Sequence, residues 1–295
     1  AFSATQAAAF TTAQLSVLST QQIQALSAAD FGAFSTTQLR AFDTAQLQAI
    51  STGSIEALSS TQVAGLSTSQ LIALTTHQVR ALTTAQVAGF STTQVAGLTT
   101  AQFAAISTAG IAAFSSTQVA ALTTAQLVAL TTSQALALEA ADIAALSTTQ
   151  LRAIEPTRIT ALEPADFAIL SSAQIVALTT AQFAALETAD VAGLATTQLA
   201  ALSTAQLYAL DPEDLRAMST TQIVALSTAQ IRGLEPSDFA ALSTAQISAL
   251  STSQLAIARW RHRVRSRAVR RSHRLAGWKH RSRRLRGAGC ARYQP

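Results

Sequence analysis

Large apolar residues fall on two positions of an eight-residue phrase that runs in fixed phase from Phe2 to Leu255. Position one is taken by Phe2, Phe10, Leu18, Leu26 and their successors to Leu250, 32 times without one insertion or deletion. Position six is the second large apolar residue, except at Ala7 and Ala135. Position two is nearly always Ser, Thr, Asp or Glu, and position five is Gln in 23 of the 32 octads and Asp in six more. This order is that of a helix start: an apolar N′ residue, a hydroxyl or acidic N-cap, Gln or Asp at N3 reaching back to the cap, and an apolar N4. Leu178, Thr179, Gln182 and Phe183 show all four parts. Pro156, Pro164, Pro212 and Pro236 each follow an acidic cap directly, at N1, where a missing N–H is harmless.

One continuous helix does not fit the pattern. At ~100° per residue an eight-residue period precesses by about 80° per repeat, which winds the apolar positions around the whole cylinder. In a β-solenoid, the alternative, positions one and six would face opposite sides of a strand, but Ala and Gln are weak strand formers and the capping order would be unexplained. The pattern therefore predicts an all-α solenoid of very short helices, one per octad. Helices of this length persist only by stacking on neighbouring coils. The 62 large apolar residues at positions one and six supply a core for that stacking.

A longer beat runs through residues 139–238. Glu139 with Asp142, Glu163 with Asp166, Glu187 with Asp190, Asp211 with Asp214, and Glu235 with Asp238 recur every 24 residues, in every third octad. Either three octads form one coil and the acids stack along one edge, or a 24-residue unit was duplicated and the beat records ancestry.

Other positions carry weaker signals. Arg40, Arg80, Arg152, Arg216 and Arg232 share position seven, which is expected to face solvent. Gly65, Gly89, Gly97, Gly193 and Gly233 share position eight, where a turn between helices would call for positive φ. Ser54 and Gly110 replace Gln and mark the softest octads.

Composition divides the chain into an octad array, residues 1–258, and an Arg-rich tail, residues 259–295. The array holds all 15 acids against six basic residues, a net charge of −9, whereas the tail holds 14 Lys and Arg and no acid. The pI near 10.6 thus describes the tail. The tail reads as a disordered basic extension, as an out-of-frame translation, or as a grip on nucleic acid or an anionic surface. In the last case Arg259, Arg261, Arg263, Arg265, Arg270, Arg271, Arg283 and Arg284 would meet phosphates, with Trp260 and Trp278 free to stack. The array starts in phase at its first residues and is expected to be part of a longer one.

No catalytic or cofactor-binding constellation emerges from the array. It has one His, His77, expected on the surface, no Cys, and no Gly-rich phosphate loop or triad. Near-identical short units also provide no unique pocket. The acid pairs named above are candidate ligands for divalent cations between coils, but their density falls short of a calcium loop, and helix capping is the plainer account. The Ser and Thr pairs at positions two and three form a hydroxyl array of the kind that orders water or ice, with the first hydroxyl already committed to capping. No stretch reaches the ~18 uninterrupted apolar residues of a membrane span.

The phrases LTTAQVAGF and LEPSDFAAL resemble the Ala/Thr/Gln-rich octapeptide arrays of large bacterial surface or exported proteins. The resemblance covers residues 2–257 and carries no active-site residues. It implies an extracellular or envelope location; the absence of Cys from the array is equally compatible with cytosol. The expected role is a non-enzymatic structural or interaction module: a stalk, spacer or adhesive surface contacting a protein, a surface polymer or its own copies. A nucleic-acid-binding repeat protein is the alternative, and the array's −9 charge argues against it.

Overall fold

The computed structural model describes residues 3–256, and in it every octad restarts a short α-helix. Among the described residues there are 31 bounded helices of four to six residues, from Ala4–Ala8 to Thr244–Ala249, then a last helical turn at 252–256, and no strand. The all-α expectation holds and the β-solenoid alternative is set aside.

The local cause is visible in STTQVAGL at residues 91–98. Ser91 is extended, and its Oγ accepts the Gln94 N–H at 3.2 Å while Gln94 Oε1 accepts the Ser91 N–H at 2.8 Å. The Val95 N–H closes the α-helical bond to the Ser91 carbonyl at 3.0 Å, and the Leu98 N–H then bonds the Val95 carbonyl at 3.3 Å. Leu98 is extended again at ψ 139°, so the helix stops where the next apolar N′ residue begins.

Within each of two compact units, helices pack against those three octads along. Ala4–Ala8 lies on Ala28–Ala33, Ser116–Ala120 on Ala140–Ala145, and Thr204–Tyr208 on Thr228–Gly233. One coil is therefore three octads, or 24 residues, and it has three rows of helices. The chain comprises two compact units, one ending at Leu194 and one beginning at Ala195, and the same rule of three operates within each. Positions one and six fill the core: Leu47, Ile55, Leu71 and Phe103 in the first unit and Leu199, Leu215 and Ile231 in the second are all but fully buried. Phe31, Phe34 and Phe42 add an edge-on aromatic cluster with ring centroids 5.7–6.2 Å apart. Arg40, Arg80, Arg152, Arg216 and Arg232 are exposed, as position seven predicts.

The glycine expectation is corrected. Gly65, Gly89, Gly97, Gly193 and Gly233 do not have positive φ, and neither does any other described residue. The chain turns through the extended N′ and N-cap residues and has no use for a left-handed one. Gly97 and Gly65 serve close approach instead. A Cβ on Gly97 would stand 2.3 Å from Thr68 Cγ2, and one on Gly65 2.5 Å from Thr36 Cγ2, each an N1 residue of the coil beneath.

Candidate functional site

The recurrent polar feature of the array is the side chain at position five. At Gln102, Oε1 accepts the Thr99 N–H at 3.1 Å, completing the capping box. The amide nitrogen points the other way and donates to the carbonyls of Leu71, Ile72 and Leu74 at 2.9, 3.1 and 2.8 Å. Those carbonyls lie at the C-terminal end of a helix of the coil beneath, where the Leu71 carbonyl also accepts the Leu74 N–H at 3.2 Å. The same reach, 28 to 31 residues back, recurs at Gln46, Gln62, Gln78, Gln126 and Gln182 in the first unit and at Gln230 and Gln246 in the second. These glutamines are buried, whereas Gln6, Gln14 and Gln22 of the first coil are exposed. Glutamine is thus both a cap and a tie between coils.

The exceptions at position five follow the same chemistry. Arg158 replaces Gln, donates its Nε–H to the Leu130 carbonyl 28 residues earlier, and pairs its guanidinium with Glu155. Ser54 and Gly110 carry no such tie; Ser54 Oγ accepts the hydroxyl of its own cap, Ser51. Asp is an acceptor only when ionised.

The acid pairs lie in one row within each unit. Helices Ala140–Ala145, Pro164–Ile169 and Thr188–Gly193 pack in succession in the first unit, and Pro212–Ala217 packs on Pro236–Ala241 in the second. The acids spaced by 24 residues thus do stack along one edge within each unit. The expectation that these acids simply replace Ser and Gln in the capping box is half right. The N3 aspartates do reach back: Asp142, Asp166, Asp190, Asp214 and Asp238 accept the N–H of Glu139, Glu163, Glu187, Asp211 and Glu235 at 2.5–3.2 Å. The acids at the N-cap make no side-chain cap bond. The amides of Asp142, Asp166 and Asp190 bond instead to the main-chain carbonyl of the cap residue at 2.8–2.9 Å. Glu139, Glu163 and Glu187 are exposed, and Asp211 makes no cap bond although Asp43, of the same length, does.

Behind the exposed glutamates the aspartates are buried. Burial pushes the Asp166 carboxyl above the ordinary Asp range; the Glu163 N–H opposes the shift and the Glu163 carboxylate adds to it. Burial does the same at Asp238, where the Glu235 N–H opposes and the Glu235 carboxylate adds. A groove of about 260 Å³ opens beside Asp166, lined by Ala135, Leu138, Glu139, Ala140, Ala161 and Glu163. It opens beside Ala135, the position-six alanine that takes the place of a large side chain. Among the described residues no group of three or more His, Cys, Asp or Glu is placed to hold a metal ion.

The remaining sequence candidates are scattered or lie elsewhere. His77 is exposed on the helix Thr76–Arg80. Cap hydroxyls such as Ser91 and Thr99 accept N3 amides and are committed, as expected for the hydroxyl array. Arg259, Trp260, Arg261, Arg263, Arg265, Arg270, Arg271, Trp278, Arg283 and Arg284 lie outside the described residues, with the rest of the tail. No helix among the described residues is long and apolar enough to cross a membrane.

Stacked three-helix coils tied by buried glutamine amides define an α-solenoid repeat protein. The ALTTAQ repeat profile matches eight times, at residues 28–58, 41–76, 76–108, 100–132, 159–187, 183–213, 207–235 and 231–257, and the chain belongs to that repeat family. No curated protein matches the chain.

Proposed function

We propose that the array is a non-enzymatic structural and interaction module, a stalk, spacer or adhesive surface, within a larger exported bacterial protein. The observation that carries this reading is the use of its polar side chains. Position two is spent on caps and position five on ties between coils, as at Thr99 and Gln102. What is left for a partner is a surface repeated coil by coil, which suits multivalent contact with a polymer or with further copies of the chain. Repetition also suits mechanical work, because each coil contacts chiefly its neighbours.

Single-molecule pulling on the full chain tests the spacer role. Extension in steps of one coil is expected, about 80 Å for each 24 residues released. Lengthening without resistance overturns it. Labelling of intact producing cells with an antibody to the array tests the exported location, and signal confined to permeabilised cells overturns that part.

A further inference from the structure

Position five reaches back by a fixed number of residues. Gln78 donates to the carbonyls of Leu47 and Ile50, 31 and 28 residues earlier. The residues 31 and 28 before Asp166 are Ala135 and Leu138. Two departures from the octad meet there, a small residue at position six below and a short one at position five above. The residues 31 before Asp142, Asp190, Asp214 and Asp238 are Ile111, Ile159, Phe183 and Leu207, all large. Ala7, the other position-six alanine, is 31 residues before Gln38, whose amide donates to the carbonyls of Ala8 and Phe10. The combination of Ala below with Asp above occurs once.

Its result is the groove of about 260 Å³, several times the roughly 30 Å³ share of one water. Ala135, Ala140, Ala161 and Ala165 give it apolar walls, and Glu139, Glu163 and Asp166 give it carboxylates. Asp166 is only 7% exposed. Its Oδ2 accepts the Glu163 N–H at 2.8 Å, while among the described residues Oδ1 accepts no hydrogen bond. The Leu138 carbonyl likewise accepts none among the described residues. No lining side chain is a donor when the acids are ionised.

The preceding octad shows which group such acceptors take. Arg158 stands at position five there, donates its Nε–H to the Leu130 carbonyl 28 residues earlier, and pairs its guanidinium with the cap residue Glu155. Leu138 and Glu163 are the same two acceptors eight residues further on. The chain itself supplies them with no guanidinium, because Asp166 stands where Arg158 stood.

We propose that this groove is a docking socket for an arginine side chain of a partner protein, with its guanidinium between Asp166 and the Leu138 carbonyl and its aliphatic stem along the alanines. Glu139 and Glu163 are exposed at the same site and draw the cation in. A guanidinium suits it better than a lysine ammonium, because its five N–H groups form a planar fork that meets a carboxylate and a carbonyl together. The described residues hold no group of three or more His, Cys, Asp or Glu placed for a metal ion, which favours an organic cation. This goes beyond the reading of the array as a structural and interaction module, and pulling and cell labelling test that reading separately.

NMR titration of the full chain, 13C-labelled at its alanine methyls, tests the socket at pH 7 and constant ionic strength. The probe is the tripeptide N-acetyl-Ala-Arg-Ala-amide, and its citrulline analogue keeps the shape without the charge. Saturable shifts confined to Ala135, Ala140, Ala161 and Ala165 are expected, with affinity about tenfold or more weaker for the citrulline peptide. Ala135→Leu fills the groove, and Asp166→Gln supplies an internal donor in place of the arginine. Each restores the ordinary octad residue, so each is expected to keep the remaining methyl spectrum while losing about tenfold or more in affinity. Asp190→Gln, on the next helix of the same row, is expected to bind as the parent does. Absence of saturable shifts, equal binding of the two peptides, binding retained by either groove variant, or equal loss in Asp190→Gln would overturn the proposal.

Discussion

At Gln102 the amide nitrogen stands 2.9 Å from the Leu71 carbonyl oxygen and 2.8 Å from that of Leu74, so exchanging one nitrogen for oxygen is enough to cut the tie. Gln102→Glu keeps the acceptor for the Thr99 N–H and loses the donor. With the Leu74 carbonyl losing this donor beside a buried charge, a loss of about 1–3 kcal/mol is expected in urea unfolding at pH 7. The same change at Gln14, exposed on the first coil, should fall within about 0.5 kcal/mol of the parent. Gly97 makes the complementary case from packing. Gly97→Ala sets a methyl against Thr68 Cγ2 and should cost about 1 kcal/mol, while Thr68→Ala in the same chain should return most of it. Thermal unfolding of the two single variants and the double completes that cycle, and strictly additive losses would show that the glycine is there for another reason.

Each helix, four to six residues long, depends on its ends more than on its middle. Ser91→Ala removes the acceptor for the Gln94 amide and should cost about 1 kcal/mol in thermal unfolding, whereas Glu163→Ala should change little, because the Glu163 side chain caps nothing. The start of every helix was legible in the sequence, since N′, cap, N3 and N4 residues are consecutive and local bonds decide their geometry. The three-octad coil was half legible: the acids at 139–238 announced a 24-residue beat, but spacing alone does not separate stacking from duplication. The tie between coils was missed, because a capping box explains glutamine without it. The available signal was chemical. Glu serves a capping box as well as Gln does, yet no octad places Glu at position five. The glycines misled for a related reason: a residue that permits positive φ also permits contact, and only the neighbouring coil shows which property is in use.

Stacking fixes which lengths of chain are interchangeable. Deleting residues 91–114 removes one whole coil of the first unit and rejoins Phe90 to Ser115 in phase, so helicity per residue by circular dichroism should be unchanged. Deleting only residues 91–94 breaks the phase of every later tie relative to the coils before it, and a clear fall in helicity is expected. The ties have a further property in the direction they run. Each tie described above runs toward carbonyls that lie earlier in the chain, as Gln46 does toward Leu15 and Leu18 and Gln254 toward Val224 and Leu226. A chain emerging amino end first, from a ribosome or through a narrow pore, thus always finds its template already laid down. Each new turn can latch onto its predecessor without waiting for sequence still to be delivered.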